Sequence, residues 1–286
     1  MLGKTLLILS LLTLCCSISA VAQSNTMRVA TYNIRYDNVN DTLNAWAKRL
    51  PVMADQIKFH DFDIFGTQEV LAHQLKGLAE ALPAYGYIGV GRDDGKEKGE
   101  YAAVFYDKNK YALQKQGHFW LSETPEKPSK GWDAAIPRVC TWGQFRDKET
   151  GYSFYFFNVH FDHIGEQARK ESVTLVLQRI KQIAGNAPVV LAGDFNFSQK
   201  DEKYTTLSTS GTLKDAYQLA AVRYAPRGTF NGFEADRKTD ERIDHIWLSP
   251  DFKVIRYGIL TDTYGDGKFP SDHFPVVADV TYTVKR

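Results

Sequence analysis

The sequence predicts an α/β fold in which two packed β-sheets are flanked by helices. Three observations carry this. Strand-like runs are numerous, and several follow one another directly. Segments of helical period are few, whereas a single parallel doubly wound sheet needs a crossover helix between nearly every pair of strands. Nothing between Thr26 and Arg286 reads as a linker: there is no Ser/Gly/Pro tract, charge block or repeat.

The elements follow in order. "MRVATYNIR" alternates apolar and polar residues, the period of a half-buried strand. "WAKRLPVMADQIKFHD" places apolar residues at helical spacing, with Pro51 as a point of interruption. "DIFGTQEV" is a short strand that turns polar, "LAHQLKGLAEAL" a helix, "YGYIGVG" a strand and "RDDGKEKGE" a charged, Gly-bearing loop. Next come aromatic and β-branched runs: "YAAVFYD", "YALQKQGHFWLS", "RVCTWGQFRD" and "SFYFFNVHFDH". The last leads into the helix "EQARKESVTLVLQRIKQIA" and the strand "APVVLAGD", and "RIDHIWLS", "FKVIRYGIL" and "HFPVVADVTYTV" complete the strands.

The ends and the composition narrow the class. Residues 1–22 have the pattern of a secretory signal: Lys4, the run "LLILSLLTLCC", then Ala20-Val21-Ala22. That run is shorter than the ~20 apolar residues of a membrane span. Residues 23–286 are then expected to form one domain, exported to a periplasm or beyond, as a monomer without stable membrane insertion. Two of the three cysteines leave with the signal, so Cys140 has no partner for an intrachain disulfide. The same cleavage removes Lys4 and no acid, taking the formal charge from +1 to zero. A protein that holds nucleic acid through its phosphates usually carries a basic excess, so nucleic acid is not the favoured partner.

Polar groups recur where strands end: Asn33, Glu69, His160 with Asp162 and His163, Asp194 with Asn196, Asp244, and Asp272 with His273. One such residue is ordinarily a cap or turn residue, but so many of one kind point to a shared pocket. Their carboxylate and amide oxygens suit a hard cation such as Mg²⁺. Zinc is less suited, because His160 and His163 would point to opposite faces of a continuing strand. A hard cation, a carboxylate that activates water, amide donors and imidazoles are the parts that phosphoester hydrolysis needs.

In their order and approximate spacing, "YNIR", "TQEV", "NVHFDH", "LAGDFN", "IDHIWLS" and "SDHFPV" resemble the endonuclease/exonuclease/phosphatase superfamily. That group includes pancreatic-type deoxyribonucleases, abasic-site endonucleases, inositol polyphosphate 5-phosphatases, bacterial sphingomyelinases and deadenylases. The likeness spans almost all of the chain after residue 22. It implies a four-layer αββα sandwich of two mixed sheets with the site at one edge. It also implies roles. Asn33 and Glu69 would hold Mg²⁺ or Mn²⁺, with Asp272 as ligand or orienting group. Asp194 would activate the water, and Asn196 would hold a phosphoryl oxygen. His273, its tautomer fixed by Asp244, would bind the phosphate, and His160 would stabilise developing charge or feed a proton to the leaving oxygen. Abasic-site enzymes carry an acid where this chain has Arg35, a departure that weakens a two-metal scheme.

Two stretches lie outside those motifs. "HFWLSETPEKPSKGWDAAIPRVCTW" brings Arg138 towards the site, and "HFDHIGEQAR" adds Asp162, His163 and Arg169 as candidate phosphate or substrate contacts. Guanidinium binds phosphate at two points, whereas the plainer reading of Arg138 is a salt bridge. Trp120, Trp132 and Trp142 read as core aromatics. Tyr224, Phe230 and Phe233 could line the substrate side or simply pack a loop. The stretch that carries Trp132 and Arg138 also resembles an exported bacterial subgroup that includes a sugar-phosphate phosphatase. The expected function is therefore an exported divalent-metal-dependent phosphoesterase acting on a small phosphorylated molecule such as a sugar phosphate. A secreted nuclease and a non-catalytic binding protein on the same fold are the alternatives.

Overall fold

Alternation along the central strands decides the layering. In the computed structural model, which describes residues 25–284, the chain forms strands β1 (Thr26–Asn33), β2 (Ile64–Val70), β3 (Tyr85–Ile88), β4 (Tyr101–Asp107), β5 (Tyr111–Trp120), β6 (Val139–Asp147) and β7 (Ser153–His160). These are followed by β8 (Val189–Asp194), β9 (Lys214–Asp215), β10 (Val222–Tyr224), β11 (Asp244–Leu248), β12 (Phe252–Ile259) and β13 (Val276–Tyr282). The expected signal segment, residues 1–22, lies outside the described residues. A seven-stranded sheet runs β10-β12-β13-β1-β2-β4-β3 and a six-stranded sheet β5-β6-β7-β8-β11-β9. Both are mixed: β1 is parallel to β2 and antiparallel to β13, and β8 is parallel to β7 and antiparallel to β11.

Side chains on a strand alternate faces. Met27 and Val29 of β1, Phe154 and Phe156 of β7, and Val190 and Ala192 of β8 therefore meet in a core between the sheets. Ala30 and Tyr32 face the other way, against Met53, Ile57, Leu75 and Leu78 of α1 (Trp46–Phe59) and α2 (Ala72–Ala81). Phe157, Val159, Val189 and Leu191 pack on Val173, Val176 and Ile180 of α3 (Glu166–Ala184), and on Leu207 of α4 (Glu202–Ser208). The result is helices, sheet, sheet, helices, which is the αββα sandwich. "VVLA" is apolar throughout because both of its faces are covered.

The parallel pairs β1–β2 and β7–β8 come from strand–helix–strand crossovers, so β1, β2, β7 and β8 end on one edge of the sandwich. Gly193 permits part of this. It has φ 152°, and a Cβ there would sit 2.1 Å from the Val159 carbonyl oxygen of the neighbouring strand. The register then sets His160 beside Asp194 and Asp194 beside Asp244. By the same alternation that buries Val190 and Ala192, these side chains face inward at the edge.

Some expectations change. α1 runs through Pro51 without ending. The strand expected over "YGYIGVG" stops at Ile88, before Gly89 with φ 147°. That over "HFPVVADVTYTV" begins only at Val276. The short helices α4 and α5 (Ala216–Leu219) lack a long apolar period and are set by the capping carboxylates of Asp201 and Asp215. Among the described residues no helix is long and apolar enough to cross a membrane.

Candidate active site

At the edge where those strands end, a cavity of about 540 Å³ opens between the sheets. Its lining includes Arg35, Glu69, Glu100, Arg138, His160, His163, Asp194, Asn196, Asp272 and His273. Burying so many polar groups costs free energy unless each is hydrogen-bonded or paired, so the pairings constrain what the site does.

Asp194 sits at the centre and is 1 % exposed. Its Oδ2 accepts a hydrogen bond from Asn33 Nδ2 at 3.0 Å and faces the Nε2 atoms of His160 and His273 at 3.7 and 3.8 Å. Its Oδ1 accepts from the Asn196 backbone amide at 2.9 Å. Asn196 reaches this position with φ 51°, while its side-chain amide donates to the Phe161 carbonyl. Burial and the Asp244 carboxylate push the Asp194 carboxyl up to about 7, against the pull of His273, the Asn196 amide and Asn33.

The two imidazoles differ in charge. Burial alone would keep His273 neutral, but Asp244, whose Oδ2 lies 2.9 Å from His273 Nδ1, together with Asp194 and Asp272, holds its pKa well above the ordinary value. Thr229 Oγ1 accepts from the Asp244 amide and fixes that end of β11. His160 is driven the other way, well below its ordinary range, by burial and then by Arg138 and Arg92. A neutral His160 can donate or accept a hydrogen bond, whereas His273 carries a positive charge.

Asn33 Nδ2 also donates to Glu69 Oε1 at 3.0 Å, and Glu69 Oε2 accepts from the Tyr36 amide. Glu69 has φ 63°, a conformation that turns its carboxylate away from the line of β2. Asp272 is pushed up to about 6 by burial, with Glu69 adding to the effect and His273, Arg35 and Arg49 opposing it. Asn33, Glu69 and Asp272 carry oxygens of the hard type that suits a divalent cation such as Mg²⁺; in the cation-free arrangement Asn33 turns Nδ2 to Glu69 and Asp194, and its Oδ1 accepts from the Arg35 amide. Asp194, Asp244 and His273 also bring one ligand atom each within 4.8 Å of one another and could hold a cation. In that group, however, His273 Nδ1 and Asp244 are already joined to each other.

The remaining candidates divide. Arg138 is 4 % exposed; its Nε donates to Asp162 Oδ2 at 3.3 Å, and its Nη2 donates to His163 Nδ1 at 2.9 Å. Asp162 does not line the cavity. Burial would raise its pKa, but three backbone amides, those of Gly165, Ala135 and Ile164, and Arg138 outweigh this and hold it at about 2. Arg169 is likewise turned away, donating to the Asp162 carbonyl and pairing with Glu166. His160 and His163 line one cavity because β7 ends at His160, so the alternation expected of a continuing strand does not apply. Trp120 is buried, Trp142 packs against the α3 side and Trp132 is partly exposed with φ 47°. Of the loop aromatics, Phe230 lines the cavity, Phe233 packs on the core and Tyr224 is exposed.

Sequence reasoning missed several supports. Arg49, fully buried, donates to the Asn44, Ile34, Arg35 and Pro270 carbonyls and so ties β1 to the segment that carries Asp272. Asn158 donates to the Thr67 and Ala103 carbonyls and accepts from Gln68, bridging the sheets beneath the site. Glu100 faces the cavity from the start of β4.

The model of the Endonuclease/Exonuclease/phosphatase family matches residues 30–273, the span that carries every group above. The chain belongs to that family. It is a phosphoester hydrolase, and enzymes of this family are metal-dependent. Among solved structures it is similar to a Bacteroides thetaiotaomicron mannosyl-6-phosphatase, at 50% identity over 90% of this chain and 100% of the other, with TM-score 0.88. An endonuclease/exonuclease/phosphatase family protein from the same organism has 50% identity over 91% and 99% of the two chains, with TM-score 0.89. The human Nocturnin catalytic domain, 21% identical over 91% and 94% with TM-score 0.72, shares the fold. An uncharacterized protein of Acanthamoeba polyphaga mimivirus is 26% identical over 81% of this chain and 91% of its own length.

Proposed function

We propose that this enzyme is an exported, Mg²⁺- or Mn²⁺-dependent phosphomonoesterase acting on a small phosphorylated molecule such as a sugar phosphate. The observation that carries the reading is a cavity of about 540 Å³ whose lining holds Asp194 and His273 together with the hydrogen-bonded Arg138–His163 pair. The 50% identity to a mannosyl-6-phosphatase over 90% of the chain supports it.

In this reading Asn33, Glu69 and Asp272 hold the cation. When bound, a divalent cation withdraws charge from the phosphoryl oxygens. Asp194, with a pKa near neutrality, is matched to take a proton from the attacking water. His273, charged through Asp244, binds a phosphoryl oxygen, and Asn196 flanks it. His160, held neutral, stabilises the leaving oxygen by hydrogen bonding and does not act as an imidazolium acid. The separations of 3.7 and 3.8 Å from Asp194 to the two imidazoles are too long for direct hydrogen bonds, so the facing atoms keep hydrogen-bonding capacity for a ligand. One domain over residues 23–286, acting as a monomer after loss of residues 1–22, completes the proposal.

The test is hydrolysis of a hexose 6-phosphate against a matching phosphodiester, with Mg²⁺, Mn²⁺ or chelator. Monoester turnover at least ~100-fold above diester turnover, abolished by chelator, is the expected outcome. A diester preference, or activity on DNA or RNA that falls steeply with salt, would replace this reading with the nuclease.

A further inference from the structure

We propose that Glu100, Arg138 and His163 form a subsite for uncharged vicinal hydroxyls on the leaving group, as on a polyol or sugar ring, rather than a second phosphate site. The inference rests on the phosphomonoesterase reading and deepens it.

Charge decides between the two ligands. Arg92 grips Glu100 through both Nη atoms at 2.6 and 3.0 Å, and Arg138 is paired with Asp162 at 3.3 Å. His163 accepts from Arg138 through Nδ1, which places its own proton on Nε2 and keeps the ring neutral. Two closed ion pairs and a neutral imidazole sum to no net charge. A second phosphate would bring negative charge beside Glu100 and Glu69, where the charges of Arg92 and Arg138 are already matched by Glu100 and Asp162.

A hydroxyl both donates and accepts, so two adjacent hydroxyls are satisfied by an acceptor next to a donor. Glu100 provides the acceptor: Arg92 uses one lone pair on each oxygen, leaving the others, and cancels the charge that would make Glu100 a cation ligand. His163 Nε2 provides a donor. Arg138 adds a second polar edge, with an Nη1 that finds no hydrogen-bond acceptor among the described residues although Arg138 is nine-tenths buried. Phe230, packed against His273 and Arg237, lines the same cavity and adds apolar surface to it. The sequence offered no sign of this, since Glu100 closes a run of alternating charges that reads as a solvated loop.

The experiment measures binding in the Asp194→Asn protein, which blocks turnover, with Mg²⁺ present. Hexose 6-phosphate, inorganic phosphate and a hexose bisphosphate are compared by calorimetry. The expected result is hexose 6-phosphate bound at least tenfold more tightly than inorganic phosphate. Glu100→Gln and His163→Gln, made separately, are each expected to shrink that advantage at least fivefold. Equal affinities for the two ligands would overturn the proposal. So would variants that weaken both ligands by the same factor, or a bisphosphate that binds tightest and loses its advantage in Arg138→Gln. Failure of the monoesterase reading appears separately, as absent monoester turnover by the unmodified enzyme, and leaves the binding contrast intact.

Discussion

His273 Nδ1 lies 2.9 Å from Asp244 Oδ2, while its other ring nitrogen, Nε2, faces Asp194 Oδ2 at 3.8 Å. The imidazole is thus held between a carboxylate that fixes its proton and one that shares its cavity. Asp244→Asn keeps the shape but removes the charge that sustains the imidazolium. The expected outcome is a fall in kcat of ~100-fold or more. The loss should depend on pH. His273 keeps its proton to a pH well above its ordinary value, so with Asp244 neutralised the alkaline limb of the kcat/KM profile should move to lower pH. An unmoved limb would show that His273 does not act as the cation.

Asp194 trades stability for chemistry. Its folded-state pKa of about 7 lies above the 3.8 of an unperturbed carboxyl, so its ionised form weakens the fold increasingly as pH rises from 3.8 to 7. Each pH unit of such a difference is about 1.4 kcal/mol. Asp194→Asn should therefore abolish turnover yet melt several degrees above the parent at pH 8 in chelator, with the gap closing towards pH 4. Paired melting curves at the two pH values check this. A variant that is both inactive and less stable at pH 8 would mean that the carboxylate's hydrogen bonds outweigh its burial.

How much of this was legible in the sequence depends on how local each cause is. Asn33, His160, Asp194 and Asp244 could be read because a period of two and an abrupt polar ending are properties of one strand. The two-sheet layering could be read because strand-like runs are many and consecutive while segments of helical period are few. Arg49 could not, because it looks like any charged residue of an amphipathic helix until the segment carrying Pro270 is folded against it. Asp162 and Arg169 stand close to His163 in sequence, but the turn after β7 engages both with its own backbone, and Asp162 also pairs with Arg138. Glu100 differs from Asp93 and Asp94 only in standing one residue before β4, a distinction that charge patterning does not carry.

Gly66 and Asn158 face each other across the two sheets, and neither position tolerates much. A Cβ on Gly66 would lie 2.4 Å from Asn158 Oδ1. Gly66→Ala should cost about 1–3 kcal/mol by overpacking. Asn158→Ala would remove a donor to the Thr67 carbonyl and one of two acceptors of the Gln68 amide, which keeps Thr31 Oγ1, at about 1–3 kcal/mol for each group left unsatisfied. β2 carries Glu69 and β7 carries His160, so loss of this bridge should lower kcat as well as stability. Denaturant midpoints and single-turnover rates measure the two effects. An Asn158→Ala protein with an unchanged midpoint would refute the bridge.

His245 gives the fold a weakness to mild acid that is separate from the chemistry. It is fully buried, directs Nε2 to the Phe197 carbonyl at 3.2 Å and leaves Nδ1 without a partner among rings of Phe195, Phe197, Tyr204 and Trp247. Burial depresses its pKa from 6.5 to about 4. Because the folded pKa is lowered, the unfolded chain takes up the proton first as pH falls. Stability is complete above pH 6.5, is lost between pH 6.5 and 4, and falls no further from this group below 4. At about 1.4 kcal/mol per pH unit the loss is on the order of 3 kcal/mol. His245→Phe keeps an aromatic ring in the cluster and removes the titration, at a cost of about 1 kcal/mol for the hydrogen bond to Phe197. Urea unfolding measured between pH 7 and 4 should therefore show a shallower decline for the variant, with the two curves crossing and the variant the more stable by about 2 kcal/mol at pH 4. Parallel declines would show that His245 is not the source of the acid sensitivity, since the raised carboxyls of Asp194 and Asp272 gain stability over the same range.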